Sequence, residues 1–150
     1  MKISAVGSSV EVSKHIRNKS KINSEVFPAF MEGITKKTSW RLRFGIAEQS
    51  VNIAPHLPLQ DRDSAVIGIY EKLLQDSEPE VRSEACNKLV EVSKHCTADE
   101  ICAKLLPICN TYTVTDKSPH VRGTLAEVIC CMAEAIGKER SNKFIVPTVI

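Results

Sequence analysis

Arg43, Arg82 and Arg122 are separated by 39 and 40 residues, and the sequence around each of them repeats. The three stretches are Lys37-Thr38-Ser39-Trp40-Arg41-Leu42-Arg43, Asp76-Ser77-Glu78-Pro79-Glu80-Val81-Arg82 and Asp116-Lys117-Ser118-Pro119-His120-Val121-Arg122. A period near 40 in a helix-rich chain marks stacked helix pairs. One such pair cannot bury its apolar face alone, so its neighbours must cover it. The expected fold is therefore an all-α solenoid, which presents an extended surface and encloses no single active site.

The period holds column by column. Counting back from Pro107 by 40 gives Ile67, and a further 39 gives Pro28; counting forward by 40 gives Pro147. One position earlier lie Phe27, Val66, Leu106 and Val146, and three positions after that column lie Phe30, Ile69, Cys109 and Val149. Behind the arginines run Ile46, Ala85 and Leu125, followed by the small set Ala47, Cys86 and Ala126. Val10-Glu11-Val12-Ser13-Lys14-His15 recurs literally as Val90 to His95, a shift of 80 or two periods. The whole chain, 1–150, thus reads as one array: a partial repeat over about 1–20, repeats over 22–57, 59–96 and 97–138, and the start of another over 140–150.

Local signals place the helices. Thr97 and Glu100 form a capping box that opens a helix running to about Thr115, because each side chain satisfies a free amide of the other. Ser118-Pro119 starts the next helix, which buries Val121, Leu125, Ile129, Met132 and Ile136 and stops at Gly137. Its counterparts bury Val81, Ala85, Leu89 and Val92, and Leu42, Ile46 and Ile53. First helices are expected over about 24–36, 61–75 and 98–114. Pro107 falls inside its helix, where it removes a backbone bond and displaces a carbonyl; Pro28 and Pro147 share its column, which predicts a bend in each repeat. A further helix is expected over 142–150, so the chain reads as a fragment of a longer array with Phe144, Ile145 and Val149 exposed at its end.

Composition agrees: hydrophobic residues make up 43% but aromatics only 5%, as in helical repeats packed with aliphatic side chains and cysteine. Net charge is +2, too small to draw the whole chain to nucleic acid or membrane. It is uneven: residues 1–60 carry nine Lys/Arg against four Asp/Glu, and residues 61–150 carry eleven against fourteen. Lys14, Arg17, Lys19 and Lys21 beside His15 read as a solvated helix end or as a docking patch for an acidic partner. The basic half lacks interleaved aromatics for stacking on RNA. No stretch approaches the roughly 20 apolar residues of a membrane span, and Met1 to Gly7 is too short for a secretory signal.

Of the six cysteines, Cys86, Cys102, Cys109 and Cys130 fall at apolar helical positions; Cys96 and Cys102 are not spaced as a Cys-x-x-Cys zinc pair, and a reducing compartment argues against a disulfide framework. No metal or cofactor is expected. No Ser/His/Asp set, paired carboxylates or Cys–His dyad is present, so the sequence reads as no enzyme. Gly137-Lys138 is a helix stop, since no phosphate-loop glycine precedes it.

A proline-bent first helix followed by Asp-x-x-x-x-Val-Arg resembles the HEAT repeat. Ser39-Trp40-Arg41-Leu42-Arg43, then Leu74 to Arg82, then Leu105-Leu106-Pro107 to Lys138 resemble, in that order, consecutive middle repeats of the scaffold (A) subunits of protein phosphatase 2A. The resemblance covers about 22–150. It implies a non-catalytic solenoid; with neither membrane span nor secretory signal, the chain is expected in the cytoplasm, with the nucleus as a second location. Its intra-repeat turns would dock a phosphatase regulatory subunit, while later repeats outside this chain would hold the catalytic subunit.

Carried over, the docking residues are Lys36, Lys37, Ser39, Trp40 and Arg41 in the first turn, Asp76, Glu78, Pro79 and Glu80 in the second, and Lys117, Pro119 and His120 in the third. An Asp–Arg ladder would join Asp76 with Arg82 and Asp116 with Arg122, each arginine pairing in its own or a neighbouring repeat. Lys37 replaces the aspartate of the first repeat, which leaves Glu48 or Asp76 for Arg43. Trp40 reads either as cover for the gap between repeats or as an anchor for a partner. The alternative function is a HEAT adaptor such as a nuclear-transport receptor, which calls for acidic runs along the second helices. Here those helices mix Lys88 and Lys94 with Glu84 and Glu91.

Overall fold

The computed structural model describes residues 22–36, 39–56 and 59–146, and no strand occurs among them. In chain order they form a π-turn (Ile22–Val26) leading into α1 (Phe27–Thr35), then α2 (Trp40–Ile53) with a 3-10 turn at Ala54–His56. Next come α3 (Leu59–Leu73) and α4 (Pro79–Ser93). A short turn α5 (Ala98–Glu100) passes through a second π-turn (Ile101–Leu105) into α6 (Leu106–Thr115), followed by α7 (Pro119–Ile136) and α8 (Lys138–Phe144). Helices α1/α2, α3/α4 and α5–α6/α7 make three pairs; the second helices α2, α4 and α7 stack on one another as one layer. The partial repeat over 1–20, with its basic patch and the Val10–His15 copy, lies outside the described residues, as do Lys37, Pro147 and Val149.

The caps form as the sequence requires. Thr97 N–H donates to Glu100 Oε2 at 2.9 Å, and Glu100 N–H donates back to Thr97 Oγ1 at 3.3 Å. The Ser118 hydroxyl accepts from Val121 N–H at 3.5 Å. The repeat columns fill the core: Val81, Ala85, Leu89, Leu106, Cys109, Val121, Leu125 and Ile129 are all buried. Each large aliphatic among them contributes about 1.5–3 kcal/mol by leaving water.

Three expectations need correction. The first concerns the bend. Leu106 N–H bonds to the carbonyl of Ile101, five residues back, so the helix widens into a π-turn just before Pro107, and another π-turn precedes Pro28. Helix α3 carries Ile67 in that column and runs from Leu59 to Leu73 without interruption. The wide turn therefore follows proline, which offers no N–H and whose ring would strike the carbonyl four residues back; it is not common to every repeat. The second concerns the last second helix. Ala126 and Cys130 are exposed, whereas Ala47 and Cys86 of the Ala126 column are buried. On α2 and α4 that face meets the next second helix; on α7 no described residue covers it.

The third concerns α8. It begins at Lys138 instead of Asn142, because Gly137 adopts φ 81° and lets one helix stop and the next restart at once. The Ser141 hydroxyl then bonds the carbonyls of Ala133 and Gly137 at 3.0 and 2.8 Å. As a result Ile145 is buried and Phe144 half-buried, not exposed.

Two helical glycines separate close packing from tolerance. A Cβ on Gly33 would come within 2.8 Å of Ile46 Cδ1, while one on Gly123 would meet nothing within 4 Å. Gly123→Ala should raise stability in urea unfolding by about 0.5–1 kcal/mol through helix propensity. Gly33→Ala should forfeit that gain and lower stability, because Ile46 is fully buried and must move.

Candidate protein-docking ridge

The repeats are joined by a ladder of charge pairs. Arg43 Nε donates to Asp76 Oδ2 at 2.5 Å and its Nη2 to Oδ1 at 2.9 Å. Arg82 repeats the arrangement on Asp116, at 2.7 and 2.8 Å. Each carboxylate also accepts from the amide two residues on: Glu78 N–H at 3.0 Å for Asp76, and Ser118 N–H at 2.8 Å for Asp116. The remaining arginine donor turns inward to its own repeat. Arg82 Nη1 reaches the carbonyls of Asp76 at 2.8 Å and Ser77 at 3.2 Å, and Arg122 Nη1 reaches that of Asp116 at 2.8 Å.

Of the two expected arrangements, pairing within a repeat or with a neighbouring one, the structure takes the second: Arg43 meets Asp76 and Arg82 meets Asp116. The carboxylate belongs to the arginine of the preceding repeat, and only the backbone carbonyl serves the arginine of its own. The loss of an aspartate at Lys37 therefore does not strand Arg43, which takes Asp76 and not Glu48. Among the described residues, Arg122 is bonded within its own turn only.

The pairs are dry. Side-chain exposure is 8% and 5% for Arg43 and Asp76, and 12% and 2% for Arg82 and Asp116. Hydrogen bonds to Asp76 raise the Arg43 pKa above its ordinary value. The Arg82 hydrogen bonds, against the opposing effect of burial and with help from the Ser118 amide, hold the Asp116 carboxyl below the usual range. For Asp76, burial pushes the other way most strongly. The Arg43 hydrogen bonds, the Glu78 amide and the charges of Arg43 and Arg82 together outweigh it, and the pKa is again lowered.

Because the ladder ties each turn to the next, the predicted docking residues form one row. In the first turn Lys36 is exposed and paired with Glu32 one helical turn back; Ser39 and Arg41 are exposed, and Lys37 lies outside the described residues. Trp40 is 38% exposed, with the Arg41 guanidinium 4.8 Å from its ring centroid. Its ring is thus partly covered by the fold and partly open to solvent. Pro79 and Glu80 are exposed in the second turn, with Glu78 half-buried; Lys117, Pro119 and His120 are exposed in the third. Asp76 and Asp116 are the exceptions, since their carboxylates are consumed by the ladder.

Sequence reasoning missed three residues here. Phe44, Ser83 and Glu84 join Pro79, Glu80, Ser118 and His120 around a groove of about 350 Å³. Glu84 was legible in principle, four residues after Glu80 on the same helical face; Phe44 was not, since its column continues as Ser83 and Gly123. Also missed was a buried hydrogen bond across the first two repeats, between Ser50 and Tyr70 hydroxyls at 2.8 Å. The cysteines carry no reactive thiolate in the core: burial pushes Cys86 and Cys109 up to about 12. Cys130, expected on an apolar face, is exposed. No group of three metal-ligating side chains occurs among the described residues, and no described helix is long and apolar enough to cross a membrane.

A family profile described as PPP2R1A-like HEAT repeat matches residues 60–137. That span holds both complete Asp-x-x-x-x-Val-Arg turns and the Arg82–Asp116 rung. The chain belongs to this HEAT-repeat family. It is 29% identical over 99 residues to the beta isoform of the human 65 kDa regulatory (A) subunit of serine/threonine-protein phosphatase 2A. The match takes in 63% of this chain but 16% of that relative's length.

In this HEAT-repeat array the ladder should dominate the energetics of the turns. Removing one member of a buried charge pair leaves its partner unpaired, so Arg82→Ala should cost about 3–5 kcal/mol. Arg41→Ala, at an exposed site, should cost under about 1 kcal/mol; equal melting temperatures for the two would reduce the arginine column to a solvated row. The lowered carboxylate pKa values also set a pH dependence. Their contribution is fully present above the ordinary value of 3.8 and is lost as pH falls through the depressed native values. Urea midpoints of Asp116→Asn should therefore lie below wild type at neutral pH and fall less steeply through the acid range.

Proposed function

We propose that this chain is a non-catalytic scaffold segment of a serine/threonine phosphatase assembly, presenting its intra-repeat turns to a regulatory subunit. The observation that carries this is the row of exposed turn residues, Lys36, Ser39, Trp40, Arg41, Pro79, Glu80, Pro119 and His120, held in line by buried Arg–Asp rungs. A surface of that kind arranges side chains for recognition and offers no enclosed site for chemistry. The catalytic subunit would be held by repeats outside this chain. The likeness to the 65 kDa regulatory protein of phosphatase 2A supports the phosphatase context.

A carrier of basic cargo would need acidic runs along the second helices. On α4, Lys88 instead lies between Glu84 at 3.8 Å and Glu91 at 4.0 Å, which favours the scaffold reading. An exposed aromatic flanked by arginine is the kind of anchor that dominates interfaces, which makes Trp40 with Arg41 the centre of the proposed surface.

Charge reversal at Lys36, Lys37 and Arg41 should weaken capture of a phosphatase 2A regulatory subunit by the scaffold. Circular dichroism should be unchanged, since exposed charges contribute little to stability. The deficit should shrink as salt is raised, because rim charges act mainly through long-range attraction. Unaltered capture at low salt by a folded triple variant would move the docking surface away from the first turn.

A further inference from the structure

The ridge carries a spacing of charge that specifies what an incoming segment must look like. Arg41, Glu80 and His120 occupy one column, each two residues before a ladder arginine, and all three are exposed. They lie on α2, α4 and α7, which pack in sequence as one layer. Packed helices sit about 8–10 Å apart. An extended chain covers that distance in about three residues, at about 3.3 Å each.

The second position in this column opens onto the groove of about 350 Å³. Two carboxylates, Glu80 and Glu84, line it together with Phe44, Pro79 and His120, and among the described residues no lysine or arginine lines it. Glu84 has Lys88 at 3.8 Å, a long contact that leaves the carboxylate able to accept from another donor. The combination suits an arginine side chain. Its methylene stem would lie on Pro79 and Phe44, and its planar guanidinium would reach the carboxylates in a fork that lysine cannot reproduce. The first position of the column is opposite in sign: Arg41 is exposed, with its guanidinium over the Trp40 ring. Its complement is a carboxylate.

We infer that the ridge receives an extended segment of its protein partner bearing a carboxylate opposite Arg41 and, about three residues away, an arginine seated in the Glu80–Glu84 groove. The inference rests on the turns being a docking surface and names the chemistry by which they choose a partner.

The test uses the full chain and the peptide acetyl-Gly-Glu-Gly-Gly-Arg-Gly-amide, alongside its reversed-order form. The readout is the backbone amide resonances. One of the two orders should shift the amides around Arg41 and Glu80 together. Replacing its arginine by the uncharged isostere citrulline should weaken binding about fivefold. The double variant E80Q/E84Q, which keeps the side-chain shape, should erase that difference.

Equal binding of the arginine and citrulline peptides, shifts that persist undiminished in E80Q/E84Q, or no shift at millimolar peptide each overturn the inference. If the peptide fails while regulatory-subunit capture still responds to reversal of Lys36, Lys37 and Arg41, the charge spacing is wrong and the docking reading stands. If the peptide binds as expected while capture ignores that reversal, the groove chemistry holds and the phosphatase partner docks elsewhere.

Discussion

The relation of each repeat to the next rests on a buried arginine that faces two ways. Its Nε/Nη2 edge grips the aspartate of the following turn, and its Nη1 reaches back to the carbonyl of its own turn, as Arg82 does to Asp116 and Asp76. Two charges removed from water are tolerated only when their hydrogen bonds are satisfied. Here the fork geometry of guanidinium and carboxylate, plus an amide on each aspartate, supplies the partners. Aliphatic packing between second helices is broad and nondirectional, so it allows sliding. The bidentate pair does not, and the alignment of the turns follows from it.

That alignment converts three local loops into one surface. The aspartates are withdrawn into the ladder, so what remains exposed in each turn is a different charge: Lys36 and Arg41, then Glu80, then Lys117. The replacement of aspartate by Lys37 does not strand Arg43, because each aspartate's carboxylate serves the repeat before it. A substitution that looked like a broken rung in its own repeat leaves the downstream rung intact, and the first turn becomes free to carry basic charge. The same logic accounts for the face of α7 that bears Ala126 and Cys130: its counterparts on α2 and α4 are covered by a neighbouring second helix.

Much of this was legible in the order of residues alone. The columns identified the core residues from Val81 to Ile129, and the caps at Thr97 and Ser118 located their helices. Less legible was how the chain absorbs its prolines. A missing N–H predicts a lost bond, but whether the helix kinks or widens depends on what packs around it; the π-turns before Pro28 and Pro107, and their absence at Ile67, show the outcome. The restart of α8 at Lys138 was equally hidden, since it turns on a single φ at Gly137. Phe44 and the Ser50–Tyr70 contact break the columns in which they sit, so no periodic reading could reach them.

By itself the sequence determined the class of fold, the repeat length, the core columns and the identity of the turn residues, because these follow from period and local chemistry along the chain. Tertiary structure decided which aspartate each arginine meets, that the Arg41 guanidinium lies over the Trp40 ring, and that Glu80 and Glu84 share a groove with His120 from the next repeat. The reason is distance in sequence. Arg43 and Asp76 are 33 residues apart, and Arg82 and Asp116 are 34 apart. A column of identical charges contains no information about which neighbour in space completes the pair. Only the offset between stacked helices resolves it.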